Sequence, residues 1–274
     1  MKRVELFEFE DFAWFPAWLR SDMTSVLAAL NRMLGVHDVV AGHLAGLMEE
    51  QGQRTLVDLC SGGGGPMPEV LSILREAPAT ATTSLLMTDR FPNRNALAKF
   101  NAEEGPLTYS PEPLDATELE NAPAGIKTMI NCFHHMPPDT ARGILASAQR
   151  SRSPIFIYEM GENKVPLFLW FLTLPLGLLL VFLSCVVLTL KVRPLTFRQV
   201  FFTFFVPLIP AFYAWDGQAS MARIYTPDDM RGLLEGLESD DYRWEIGPGI
   251  KPGGKTMGNY LLGVPVEAAA ADAA

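Results

Sequence analysis

The chain has 274 residues, a net charge of −9 and a mean hydropathy of +0.15. This length suits one large domain, or a domain with an insertion, with a sizeable core. The acidic balance argues against nucleic acid as a partner, because phosphate binding depends on clustered Lys and Arg. Cys60, Cys132 and Cys185 show no metal-ligand or disulfide spacing, so we expect a reduced compartment and no metal.

Residues 1–50 are predicted to be helical and amphipathic. Aromatic side chains crowd the first part, and Pro16 interrupts it. A second apolar pattern with helical spacing follows, with Ser21 or Thr24 as its expected N-cap. Acidic residues near the start argue against a cleaved signal peptide there.

Residues 54–66 read as a buried strand, a glycine turn and a helix start. Asp58 lies within the apolar run, where a carboxylate needs a donor or a cation. Four glycines begin at Gly62, and Pro66 follows them at a position that favours a helix start. In an α/β fold such a turn lets a ligand contact the backbone.

The residues around this turn separate the ligand classes that use it. A P-loop needs Lys and then Ser or Thr after its last glycine, and Pro66, Met67 and Pro68 exclude it. A dinucleotide fingerprint would need glycine at Met67, and no cation lies between Ser61 and Leu74. S-adenosylmethionine carries a positive sulfonium and no phosphate, which suits an acidic site. The alternative is a glycine turn that binds nothing.

The stretch resembles motif I of the class I S-adenosylmethionine-dependent methyltransferases. The resemblance implies a doubly wound, mostly parallel, seven-stranded α/β sheet with the cofactor across the carboxyl ends of its strands. It also implies that the cofactor contacts Asp58, Cys60, Gly62, Gly63 and Gly64.

The second strand is predicted over 83–89 and ends in Asp89, at the spacing of family motif II. A carboxylate there accepts both ribose hydroxyls, with Arg90 beside it; the alternative for Asp89 is an N-cap for a helix from residue 92. After a third strand over 107–110, Asp115-Ala116 resembles the pair that meets the adenine amino group.

The fourth strand is predicted over 125–131, and the residues after it resemble motif IV of the small-molecule methyltransferases. The resemblance implies that Asn131 and Cys132 face the methyl donor. If the acceptor is a hydroxyl, His134 or His135 is the expected base; the alternative is a histidine packed under the loop.

The fifth strand is predicted over 154–159, and Tyr158 and Glu159 end it at the same sheet edge. They are expected to contact the acceptor or the adenosine, Tyr158 as a third candidate catalytic residue and Glu159 as an acceptor-binding residue. A helix from Thr226 and two strands over 242–246 and 259–266 are then predicted to complete the sheet.

An apolar insertion separates the fifth strand from this closing unit. Residues 165–190 contain no charge, and a second apolar run covers 200–215. Both ends of the insertion rejoin one domain, and Lys and Arg flank the long run, which favours a re-entrant or monotopic hairpin on the cytoplasmic side over two full spans. The alternative is a soluble apolar lid or a dimer surface.

Candidate acceptor-binding residues flank this insertion. The family resemblance implies that the segment before motif I shapes the substrate site, which nominates Trp14 and Trp18. Tyr213, Asp216 and Arg223 lie where a lipid-like head group would arrive. The alternative for Asp216 and Arg223 is a mutual salt bridge.

The resemblance is closest to the ubiquinone and menaquinone methyltransferases. We therefore expect a membrane-attached enzyme that methylates an isoprenoid, a quinone-like molecule or a lipid. The alternatives are different S-adenosylmethionine chemistry and a non-catalytic membrane adaptor; the oligomeric state stays open. The expected regions are a helical lid over 1–50, a cofactor-binding core over 51–163, the insertion over 164–215, completion of the core over 216–267 and a disordered tail over 268–274.

Overall fold

The computed structural model describes residues 2–266, so the predicted tail over 268–274 lies outside the described residues. The chain forms two compact units. Of the described residues, the sheet unit contains His37–Met160 and 227–266, and the helical unit contains Lys2–Val36 and Gly161–Thr226. Residues 1–50, which the sequence groups as one lid, are thus divided near residue 36.

The sheet unit contains seven strands in one sheet, in the order β3-β2-β1-β4-β5-β7-β6. Only β7 runs antiparallel to its neighbours. This confirms the predicted doubly wound, mostly parallel α/β sheet. The strands are β1 Thr55–Asp58, β2 Ser84–Met87, β3 Leu107–Tyr109, β4 Ile126–Ile130, β5 Ile155–Glu159, β6 Tyr242–Ile250 and β7 Thr256–Pro265.

Nine α-helices accompany the sheet within the described residues 2–266. The predicted helical insertion after β5 is present as α6, α7 and α8. The helices are α1 Ala17–Leu34, α2 Val36–Glu50, α3 Met67–Glu76, α4 Arg94–Phe100, α5 Pro138–Arg150, α6 Leu167–Thr189, α7 Phe197–Val200, α8 Leu208–Arg223 and α9 Pro227–Leu234.

The central strands β4 and β5 are buried along their whole length, as expected for parallel strands covered on both faces. Lys127 is a cation within β4 and is 1% exposed. Its ammonium donates to the carbonyl oxygens of Pro123 and Gly125. Burial lowers the pKa of Lys127 to about 8.

In the helical unit, α1 begins directly after Pro16, whose side chain offers no cap. The prediction that Ser21 or Thr24 caps this helix is therefore wrong. Both residues lie inside α1 and donate their hydroxyls to the carbonyl oxygens four residues earlier. The buried core of the unit is formed by Phe15, Leu19, Met23, Val26, Ala29, Cys185, Leu188, Val192, Ile209 and Tyr213.

Helix α6 has the length and composition to cross a membrane, and only 11% of its most apolar window is buried. A second candidate is broken: Phe197–Phe205 and Leu208–Arg223 pass the same test together but meet at a bend of 78°. Length and composition therefore allow one span, or two if the bent pair counts as one.

Candidate active site

The carboxyl ends of β1, β2, β4 and β5 lie at one edge of the sheet unit, because these strands are parallel and paired in register. Parallel sheets bind ligands at this edge. Here β1 ends in Asp58, Asp89 follows β2, Asn131 follows β4, and β5 ends in Glu159. The predicted polar residues of the sheet unit therefore meet at this edge.

Asp58 is almost fully buried, at 3% exposure. Its carboxylate accepts one hydroxyl from Ser61 at 2.6 Å and one from Thr128 at 2.7 Å. Burial nevertheless dominates and raises the pKa of Asp58 to about 7. The hydrogen-bond donors that we expected for this carboxylate are thus two hydroxyl groups of the protein itself.

The backbone of Gly62 is held at both its N–H and its carbonyl, by residues at the ends of two neighbouring strands. Its N–H donates to Asp89 Oδ2 at 2.8 Å, and its carbonyl accepts the hydroxyl of Tyr109 at 3.1 Å. Gly62 has a φ of +50°, and a Cβ there would meet no atom within 4 Å. The backbone thus keeps a left-handed conformation beside open space, as a ligand-binding turn requires.

Gly64 has a different reason to be glycine. Its φ is +113°, and a Cβ there would lie 2.8 Å from the ring of Phe100. Phe100 belongs to α4, so Gly64 allows the turn to pack against that helix. Gly63 is exposed between these two positions.

Asp89 uses each carboxylate oxygen once within the protein. Oδ2 accepts from Gly62, and Oδ1 accepts the N–H of Phe91 at 2.8 Å. Each oxygen keeps a further lone pair for a ligand hydroxyl, and burial raises the pKa of Asp89. The alternative prediction that Asp89 caps the next helix is wrong, because Asn93 caps α4 with its side chain.

Asp115 lies close to the Asp89 segment, because the N–H of Leu114 donates to the carbonyl of Asp89 at 3.0 Å. Oδ1 of Asp115 accepts both the N–H and the hydroxyl of Thr117, and these bonds lower the pKa of Asp115. Its Oδ2 lies 3.4 Å from Nε of Arg90. Ala116 is buried next to it.

Cys60, Asn131 and Cys132 lie at the ends of β1 and β4, which are neighbours in the sheet. Cys60 and Asn131 adopt left-handed φ values of +58° and +55°. The amide oxygen of Asn131 accepts the N–H of Met160 at 2.8 Å. The thiols of Cys60 and Cys132 share a hydrogen bond, which together with burial raises the pKa of Cys132.

His134 and Glu159 form a buried pair. Nδ1 of His134 lies 2.8 Å from Oε2 of Glu159, and the N–H of His134 donates to Oε1 at 2.9 Å. Glu159 is 1% exposed and His134 is 6% exposed. A carboxylate at Nδ1 favours the tautomer with the proton on Nδ1, which leaves Nε2 as the acceptor. The ring of His135 lies 4.3 Å from that of His134.

Tyr158 is fully buried in β5. Its hydroxyl donates to the carbonyl of Met257 in β7 at 2.8 Å. The phenol is therefore held between the two strands, whereas His134 and Glu159 are paired at the strand ends.

No protein-family model and no curated protein matches this chain. Solved structures do match it. The plantazolicin methyltransferase BpumL in complex with SAH is 10% identical over 90% of this chain and 97% of that chain, at a TM-score of 0.49. An O-methyltransferase family protein from Burkholderia thailandensis is 14% identical over 82% of this chain and 56% of that chain, at 0.42. An O-methyltransferase family 2 protein from Planctomyces limnophilus in complex with apigenin is 14% identical over 78% of this chain and 51% of that chain, at a TM-score of 0.41. At these identities, the likeness assigns no role to any residue of this chain.

The remaining predicted residues belong to the helical unit. Trp14 is 66% exposed and stacks on Phe12 at a ring distance of 5.5 Å. Trp18 packs on Phe202 at 4.7 Å, and Tyr213 lies in the core of the unit.

Asp216 and Arg223 each contact the segment before α1. Asp216 accepts the N–H groups of Phe9 and Glu10 at 2.7 and 3.2 Å. Arg223 lies 3.1 Å from Glu8 and 2.6 Å from Asp11. The two predicted residues thus attach α8 to this segment.

The sheet edge has the chemistry to hold a nucleoside with a positive group. It offers carboxylates at Asp89 and Asp115, and open backbone at Gly62 and Gly65. Sequence reasoning did not find Tyr109, although its position at the end of β3 pointed toward the same edge.

Proposed function

We propose that this chain is an S-adenosylmethionine-dependent methyltransferase that acts on a hydrophobic small molecule of the membrane, such as an isoprenoid, a quinone-like molecule or a lipid. The observation that carries the proposal is the backbone of Gly62, held between Asp89 and Tyr109 beside open space. It lies at the carboxyl edge of a sheet in which only the last strand is antiparallel.

The residues at this edge fit the cofactor. The remaining lone pairs of Asp89 suit the two ribose hydroxyls, and Asp115 with Ala116 suits the adenine. Asn131 and Cys132 would face the reacting end. When bound, the cofactor supplies an electrophilic methyl carbon.

His134 is the proposed general base for a hydroxyl acceptor. Oε2 of Glu159 lies 2.8 Å from Nδ1 and favours the proton there, so Nε2 is the ring nitrogen that would accept the acceptor's proton. The same carboxylate then stabilises the positive imidazolium, because the two groups are buried together. His135, whose ring lies 4.3 Å from that of His134, is the second candidate base, while the hydroxyl of Tyr158 is already directed to Met257.

The helical unit supports a membrane-resident acceptor. Apolar side chains along α6 are exposed, among them Phe168, Leu172 and Val187 at 71%, 73% and 60%. An exposed apolar surface of this length needs a partner. Cations flank both ends of the apolar run, which favours attachment to the cytoplasmic face of a membrane.

Transfer of label from methyl-tritiated S-adenosylmethionine to a membrane lipid extract tests the proposal. We expect label in the organic phase with the detergent-solubilised protein, and none with Asp89→Asn. Asp240→Asn is the matched control, because Asp240 is exposed on a turn of the sheet unit, and it should transfer label normally.

The outcomes separate the proposal from its alternatives. Cofactor binding without transfer to any lipid fraction would overturn the methyltransferase assignment and favour different chemistry with the same cofactor. Absence of binding would favour a non-catalytic adaptor.

A further inference from the structure

One face of α6 is apolar and exposed from end to end. Its side chains are all at least half exposed and recur every three or four residues, so they form a single stripe along the helix. The stripe extends for about 33 Å at 1.5 Å per residue. Its members are Phe168, Leu172, Leu176, Leu179, Leu183 and Val187 in α6 and Leu190 directly after it.

The opposite face of α6 packs against α8, which runs antiparallel to it. A Cβ on Gly177 would lie 3.0 Å from the side chain of Gln218, and one on Gly217 would lie 3.4 Å from Val181. Asp216 in α8 is therefore level with the middle of α6.

Polar groups accompany α6 at this middle level. Asp216 accepts the N–H of Glu10 at 3.2 Å, and Arg20 donates to the carbonyl of Glu10 at 3.0 Å. Both Glu10 and Arg20 are half-exposed. The backbone of Glu10 and the guanidinium of Arg20 thus lie beside the centre of the apolar helix.

Further charged groups lie toward both ends of α6. Arg223 pairs with Asp11, whose side chain is 40% exposed, and Arg198 pairs with Asp22 through a guanidinium that is 46% exposed. Arg198 belongs to α7, which ends three residues before Thr203. The hydroxyl of Thr203 lies 3.4 Å from that of Thr189 at the end of α6. The layer behind the stripe is therefore polar at the start, middle and end of the helix.

We infer that α6 lies in the plane of the membrane surface, with its stripe among the acyl chains and the polar layer on the aqueous side. This rests on the membrane attachment in the proposed function and adds the orientation of the helix. A perpendicular α6 would bring Asp216, Glu10 and Arg20 to the bilayer centre, where ionisable groups are costly and rare. In the plane, these groups lie about 10 Å from the stripe, one helix diameter away.

The charges at the ends of α6 fit the same orientation. Lys164 precedes the helix with its side chain 77% exposed, and Lys191 and Arg193 follow it, both exposed. A helix lying on the surface brings both ends to the level of the lipid head groups. Anionic head groups on the cytoplasmic leaflet would attract these cations.

Depth-dependent fluorescence quenching tests the orientation. Tryptophan is introduced into the full-length protein in three separate variants, Phe168→Trp, Leu179→Trp and Val187→Trp. Each is bound to phosphatidylcholine–phosphatidylglycerol vesicles whose acyl chains carry bromine at a shallow or a deep carbon. The parent protein gives the signal of its five native tryptophans. Glu104→Trp, on an exposed turn of the sheet unit, reports unspecific quenching.

An in-plane α6 predicts that all three added tryptophans are quenched equally, and more by the shallow bromine. A spanning α6 would place residue 179 about 16 Å deeper than residue 168. Stronger quenching of Leu179→Trp by the deep bromine would then overturn the orientation and leave membrane attachment intact. Absence of quenching in all three variants, with no sedimentation on vesicles, would overturn the attachment as well and favour a second copy of the chain on this face.

Discussion

Replacement of Asp58 by asparagine is predicted to stabilise the protein in a pH-dependent way. The carboxyl group is 3% exposed and accepts hydroxyls from Ser61 and Thr128. An asparagine can keep both contacts. Its amide oxygen accepts from Thr128, and its NH₂ group donates to Ser61, whose hydroxyl already donates to the carbonyl of residue 58 at 3.0 Å.

The magnitude follows from the raised pKa. Burial holds the folded pKa of Asp58 at about 7, against an ordinary value of 3.8. The folded protein therefore binds more protons than the unfolded chain between these values, so the free energy of unfolding falls as the pH rises through this window. The gap between the two pKa values corresponds to about 4 kcal/mol. Asparagine does not titrate, so this fall in the free energy of unfolding should be absent from the variant.

Urea unfolding of the detergent-solubilised wild type and Asp58→Asn, followed by tryptophan fluorescence between pH 4 and 8, measures this difference. The two proteins should have similar stability at pH 4, and the variant should be more stable by several kcal/mol at pH 8. Asp240→Asn, at an exposed position, should follow the wild type. A stability difference that stays constant over this pH range would show that the pKa of Asp58 is not raised in the folded protein.

Three further changes test neighbouring parts of the account. Tyr109→Phe removes the hydroxyl that holds the carbonyl of Gly62, and we expect about fivefold weaker binding of S-adenosylhomocysteine by calorimetry, since one hydrogen bond contributes about 1 kcal/mol. Lys127→Met should raise the thermal midpoint at pH 7, because the lowered pKa of Lys127 shows that its charged form is unfavourable in the folded protein. The variant should also lack the rise in stability that the wild type shows between about pH 8 and pH 10.5. Gly64→Ala should destabilise by about 1–3 kcal/mol in chemical unfolding, through its contact with Phe100. Gly65→Ala is its control, because a Cβ on Gly65 would meet no atom within 4 Å, and it should lose less stability.

The sheet and its ligand edge could be predicted because their signals are local. The strand before Gly62 and the strand before Asp89 each end in a recognisable way. Parallel pairing then brings their carboxyl ends together whatever the rest of the chain does. The hydrogen bond between Gly62 and Asp89, 27 residues apart, is the result.

The pairing of His134 with Glu159 could not be predicted, because it depends on register. Residues Ile130 and Tyr158 face each other across β4 and β5, and this alignment brings the end of β5 to the loop that follows β4. The sequence contains both residues, but it does not show that they lie next to each other in the fold. Tyr109 was missed for the same reason, since its reach to Gly62 depends on the pairing of Met87 with Tyr109.

The division of the first 50 residues between the two units could not be predicted from the sequence either. Helices α1 and α2 have similar amphipathic patterns, yet α1 belongs to the helical unit and most of α2 to the sheet unit. The difference lies in what their apolar faces contact, and periodicity carries no information about that. The partners of Asp216 and Arg223, more than 200 residues earlier in the chain, are unpredictable on the same grounds.

Calorimetric titration of S-adenosylmethionine into the detergent-solubilised protein asks whether the sheet edge holds this cofactor. We expect saturable one-to-one binding to the wild type that is lost in Asp89→Asn, with the variant still folded by circular dichroism. A folded wild type that releases or absorbs no heat on titration would contradict it.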